Sequence, residues 1–109
     1  MRWITGAGAL ALALMCHTAG AAVKDARAGG FTVENTEVVP VGADAAWKAL
    51  VEDVDRWWPK DHSWWGTGSK LSIDARAGGC FCELAGTRQA QHMAVGFVDP
   101  RKTVCMAGG

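Results

Sequence analysis

One run, residues 43–58, does most to limit what this chain can become. Ala43, Ala46, Trp47, Leu50, Val51, Val54 and Trp57 recur at helical spacing and make a single apolar stripe. Lys48, Glu52, Asp53, Asp55 and Arg56 fall off it. Gly42 or Asp44 can cap the start, where an acid suits the helix dipole. Pro59 ends the helix, because the residue before a proline avoids the helical region. A helix with one apolar stripe must bury it against another element.

The remaining segments read as strands and turns. Residues 31–41 form a first strand whose odd positions are apolar at both ends and polar at Asn35 and Glu37. Pro40 marks its end or an edge. Residues 60–70 are a loop or short second helix carrying His62, Trp64 and Trp65, with turn material at residues 66–69. Short strands follow at 71–74 and 80–84, with Gly78-Gly79 as the turn between them. A longer strand at 89–98 presents Met93, Val95 and Phe97 on one face. Asp99-Pro100-Arg101-Lys102 reads as a type I turn. Residues 103–106 return as the last strand. The hexapeptide Asp-Ala-Arg-Ala-Gly-Gly occurs at 25–30 and again at 74–79. Two copies do not make a solenoid, and the reading is reuse of a turn that launches a strand.

The chain has 109 residues, enough for one domain, and 50% of them are hydrophobic, which supports a packed core. Lys plus Arg and Asp plus Glu are both 11, with no basic stripe, which argues against nucleic acid as a partner. Tight binding to an anionic membrane surface is equally unsupported. Six Trp and no Tyr is an unusual balance, and five of the Trp lie between positions 47 and 65.

The N-terminus has the order of a secretory signal. Arg2 supplies a positive start, residues 4–15 are apolar, and Ala19-Gly20-Ala21 is a small-x-small cleavage pattern. The apolar run is too short to span a bilayer, which takes about 20 residues. Cleavage is expected after Ala21, leaving a slightly acidic chain with no stable membrane span. A lipoprotein alternative would use Cys16. The expected layout is a signal peptide at 1–21, a flexible lead-in at 22–30 and a domain at 31–109, in a periplasmic or secreted protein.

In order, Ala46-Trp47-Lys48-Ala49-Leu50-Val51, Trp57-Trp58-Pro59, Gly78-Gly79-Cys80-Phe81-Cys82-Glu83, His92 and Asp99-Pro100-Arg101-Lys102 resemble the SRPBCC superfamily. These are START-like, helix-grip proteins. The sequence looks closest to bacterial members grouped with polyketide cyclases and with activators of heat-shock-protein ATPases. The resemblance covers about residues 31–109 and implies an α+β fold. A curved antiparallel sheet would grip a long C-terminal helix around a largely apolar cavity. On that resemblance the domain is partial, an antiparallel sheet with an N-terminal amphipathic helix. The chain ends where the family continues with more strands and the long helix. A sheet without that cover exposes an apolar face and an open edge.

The function expected is an exported binding domain for a small apolar or amphipathic molecule. The alternatives are a cyclase- or hydrolase-type enzyme in the same cavity, or an activator-like interaction module. Candidate ligand contacts are Trp57, Trp58, Trp64, Trp65, Phe81, Met93, Val95 and Phe97, with Glu83 and His92 as polar anchors. The four Trp serve either as packing around the helix end or as a pocket mouth. Asn35 and Glu37 add polar groups if their face lines the cavity.

No catalytic residues, cofactor or metal are expected. Cys82, His92 and Glu83 contain the residue types of a thiol hydrolase. Strand alternation, however, places Cys82 and Glu83 on opposite faces. His62, Cys80, Cys82 and His92 have ligand chemistry without zinc spacing. Export permits a disulfide. Neighbouring same-face positions suit a Cys80–Cys82 bridge poorly. Cys105 pairing with either one, or three small buried residues, are the other readings.

Overall fold

The computed structural model describes residues 20–108. The expected signal segment lies outside these residues, apart from Gly20 and Ala21. The chain divides after Val39 into two units, each described by itself. The described part is α+β and mostly sheet, with one two-stranded and one four-stranded antiparallel sheet.

The first unit contains a hairpin of β1 (Gly20–Arg27) and β2 (Gly30–Thr36). Residues 22–30, expected as a flexible lead-in, are therefore paired strand and turn. Cross-strand contacts accompany the pairing. Lys24 meets Glu34 at 3.0 Å, and the Thr32 hydroxyl donates to Asp25 at 2.8 Å. The strand expected at 31–41 is β2, and it stops at Thr36, short of Val41.

The second unit opens with a helical segment made of α1 (Ala43–Trp47), a π-helical turn (Lys48–Glu52) and α2 (Val54–Trp57). The Asp53 amide donates to Lys48 O at 2.9 Å, five residues back, where an α-helix would use Ala49. The Ala49 carbonyl is thus freed, and the Trp57 indole N–H donates to it at 2.9 Å. This one-residue insertion rotates the end of the stripe. Val51 and Val54 are buried, and Trp58 rather than Trp57 packs against the core, leaving Trp57 48% exposed. Two short 3-10 turns, Lys60–His62 and Gly66–Gly68, carry the Trp-rich loop.

The four-stranded sheet runs β3 (Lys70–Ile73), β4 (Cys80–Ala85), β5 (Arg88–Asp99) and β6 (Thr103–Gly108), in that spatial order. Phe81, Glu83 and Ala85 of β4 are buried, whereas Leu84 is exposed, so alternation defines an inner and an outer face. Gly78 and Gly79 make the β3–β4 turn. A Cβ on Gly79 would stand 2.1 Å from the Asp74 carbonyl, so that position admits only glycine. Both Asp-Ala-Arg-Ala-Gly-Gly copies close hairpins, β1–β2 and β3–β4.

Two bulges in β5 correct the expected faces. Phe81 pairs with Met93 and Cys82 with Gln91, leaving His92 as the extra residue. Val95 pairs with Met106 and Phe97 with Cys105, leaving Gly96 extra. Met93 and Val95 therefore keep a common face, and Phe97 is turned to the other. Val95 is buried, while Phe97 is 54% exposed on the outer side beside Cys105. The core is Val54, Leu71 and Phe81, with Trp58, Ile73 and Met106 packed against it. No helix among the described residues is long and apolar enough to cross a membrane.

Candidate functional site

The inner face of the four-stranded sheet carries two different environments. One end is a polar knot centred on Glu83. Its side chain is 0% exposed, and a lone buried carboxylate would be costly. Three donors satisfy it. The Trp64 amide donates to Oε2 and the Trp65 amide to Oε1, each at 3.1 Å. His92 Nε2 lies 2.8 Å from Oε2. A carboxylate only accepts, so Nε2 carries the proton. Burial pulls the Glu83 pKa upward. The Trp64 amide, His92 and the Trp65 amide override that and lower it from 4.5 to about 2. The β5 bulge at His92 brings this imidazole over Glu83, a pairing that simple alternation hides.

Neighbouring contacts tie the knot to the helix. Asp55 accepts from Lys60 and, at 2.7 Å, from the Leu71 amide; these contacts hold its carboxyl below the usual 3.8. Lys60 also donates to the Ser69 carbonyl at 2.9 Å. Trp58 stacks edge-on against Phe81 at 4.9 Å and donates to the His62 carbonyl at 3.1 Å. Phe81 in turn meets the His92 ring at 5.2 Å.

His62, Ser63, Trp64 and His92 line a small open cleft of about 270 Å³ above the knot. Ser63 is already engaged there. Its hydroxyl donates to the Lys60 carbonyl at 2.6 Å and accepts from the Gly66 amide at 2.9 Å.

The other end of the inner face is open and apolar. Between the helical segment and the sheet lies a cleft of about 380 Å³. Ala46, Trp47, Leu50 and Trp57 form its helix side; Ile73, Val104 and Met106 form its sheet side. Arg101 and Lys102, from the turn between β5 and β6, also line it. Leu50 is 61% exposed although it lies on the apolar stripe, because it faces this unfilled cleft.

The expected contact residues are thus dispersed. Of the ten, only Trp57 lines the larger cleft. Trp64 and His92 line the smaller one. Trp58, Phe81 and Val95 are packing residues, and Glu83 holds the knot. Trp65 lies under the Arg88 guanidinium, 5.1 Å from its ring centroid. Met93 is partly exposed and Phe97 faces outward. Ala46, Leu50, Val104 and Met106 were missed as cleft residues. The helical stripe signalled Ala46 and Leu50, whereas strand alternation alone gave Val104 and Met106 no special status.

Cys80 and Cys82 form a disulfide with Cα atoms 5.4 Å apart, correcting the expectation that neighbouring same-face positions would not bridge. That separation falls within the disulfide range. It is shorter than two residues of extended strand, about 6.6 Å, and it occurs beside the β4–β5 register shift. Cys105 is a free, exposed thiol rather than a buried packing residue. Bridging removes Cys80 and Cys82 as thiolate ligands beside His62 and His92, and removes Cys82 as a nucleophile beside His92 and Glu83. Among the described residues, no three His, Cys, Asp or Glu side chains are grouped to hold a metal ion. Compared with known proteins, the chain matches no family model, no curated protein and no solved structure.

Proposed function

We propose that this chain is an exported binding domain of the helix-grip kind, taking a small apolar or amphipathic molecule in the cleft between helix and sheet. One observation carries the reading. The apolar stripe of the helical segment and the inner face of the sheet meet only in part, leaving a space of about 380 Å³ walled by side chains such as Leu50, Trp57 and Met106. That volume suits a small ligand, for which pockets of about 300–1,000 Å³ are usual. Export is supported by the order of charge, apolar run and small residues in the N-terminal sequence. The Cys80–Cys82 disulfide suits an oxidising compartment.

Titration with the neutral probe N-phenyl-1-naphthylamine tests the cleft. Saturable binding is expected, and Ala46→Phe, which fills the cleft, is expected to abolish it. Absence of saturable binding to folded wild-type protein contradicts the function. N-terminal sequencing of the envelope fraction tests export, with a new terminus expected at Ala22.

A second reading, an enzyme of the cyclase or hydrolase kind, draws on the His92 imidazole oriented by buried Glu83 at the smaller cleft. General acid–base work would then fall to His92. Ester turnover that disappears in His92→Gln would favour it.

A further inference from the structure

Arg101 occupies a backbone position that ordinarily belongs to glycine. The Lys102 amide donates to the Asp99 carbonyl at 3.0 Å, closing a turn with Pro100 second and Arg101 third. Arg101 has φ +67°, the sole positive φ at a non-glycine among the described residues. This corrects the expected type I turn, since a positive φ at the third position defines type II, where glycine or asparagine is preferred. Arginine pays a conformational cost there that glycine would avoid. Strain of this kind, once observed, points toward a use for the side chain that causes it.

The use is visible in the surroundings. Among the described residues, Arg101 and Lys102 are the only charged ones lining the larger cleft, and no carboxylate lines it. Arg101 Nη1 contacts Asp44 Oδ1 at 3.2 Å, linking the turn to the first turn of α1. The two side chains are 64% and 78% exposed, so water competes strongly for this pair. Lys102 is similarly held by Asp99 at 3.5 Å. A guanidinium has five N–H donors, and its contact with Asp44 leaves most of them for another partner.

Resting on the cleft function proposed above, we propose that the ligand is an anionic amphiphile: an apolar chain lies against Trp47, Leu50 and Met106, and its carboxylate is anchored by Arg101. A carboxylate can take two parallel N–H bonds from a guanidinium, a stronger arrangement than the single exposed contact with Asp44. The apolar tail would hold the head beside Arg101, and Lys102 would add a second positive charge.

The test compares decanoate with 1-decanol, probes of equal chain length that differ in head charge. Binding to wild type and Arg101→Gly is measured by calorimetry, below the concentration at which decanoate forms micelles. Decanoate is expected to bind wild type about ten-fold more tightly than decanol. Arg101→Gly is expected to erase that preference while melting no lower than wild type, because glycine relieves the positive φ. Decanol binding with no preference for decanoate, or a preference that survives in Arg101→Gly, overturns the anion anchor and leaves the cleft function standing. Failure of both probes to bind folded wild type overturns the cleft function and the anchor together.

Discussion

The two ends of one sheet face behave as opposites. At the Glu83 end every strong polar group has a partner: two amides and an imidazole converge on a carboxylate withdrawn from water. At the Arg101 end apolar walls stand apart, and the polar groups at the rim are weakly held. The difference teaches where stability and function reside. A saturated polar cluster fixes a loop in one geometry, because losing any partner leaves a buried group unsatisfied. An incompletely filled apolar cleft contributes less to folding and leaves space for a ligand.

Substitutions at the locked end should therefore cost stability, and those at the open end should cost binding. The largest effect is expected from Glu83→Leu, which removes the acceptor of the Trp64 and Trp65 amides and of His92. A loss of roughly 3–5 kcal/mol is expected in urea unfolding, and a loss under 1 kcal/mol would break the comparison. Acid titration of stability gives the next effect. The Glu83 pKa is depressed in the folded state, so its contribution is complete above the unfolded value near 4.5. It fades as pH falls toward about 2. The drop across that window is about 3 kcal/mol, and Glu83→Gln should remove most of it. Asp55 contributes in the same direction, because its carboxyl is also held below its ordinary value.

Trp57→Phe keeps an aromatic ring but deletes the indole bond to the Ala49 carbonyl. A cost of about 1 kcal/mol is expected, read as a lower urea midpoint. At the open end, Leu50→Ser should change stability by less than about 0.5 kcal/mol, since the side chain is already largely exposed. The same substitution should weaken N-phenyl-1-naphthylamine binding several-fold. Equal losses of stability and binding would show that the cleft is core rather than site.

Much of this architecture could be read from residue order. The apolar stripe from Ala43 and the stop at Pro59 located the helical segment, and the Gly78-Gly79 turn located the strand that carries Phe81. Single-residue irregularities hid the rest. An i→i−5 bond at Asp53 exchanged the roles of Trp57 and Trp58. Extra residues at His92 and Gly96 brought one imidazole to Glu83 and turned Phe97 outward. Such insertions leave the average hydrophobic period almost unchanged, yet each reassigns every later side chain to another face. The candidate site suffered most, because a cleft wall is assembled from faces. Glu83 and His92 were singled out separately, but their contact depended on a bulge.

Amide hydrogen exchange followed residue by residue by NMR tests the contrast most directly. The Trp64 and Trp65 amides, although they lie in a loop, should exchange near the slow limit set by global unfolding. The amides of residues 46–53 should exchange faster and slow on adding decanoate. Fast exchange at Trp64 and Trp65, or helical amides already at the slow limit and indifferent to decanoate, would contradict the division into a locked end and an open one.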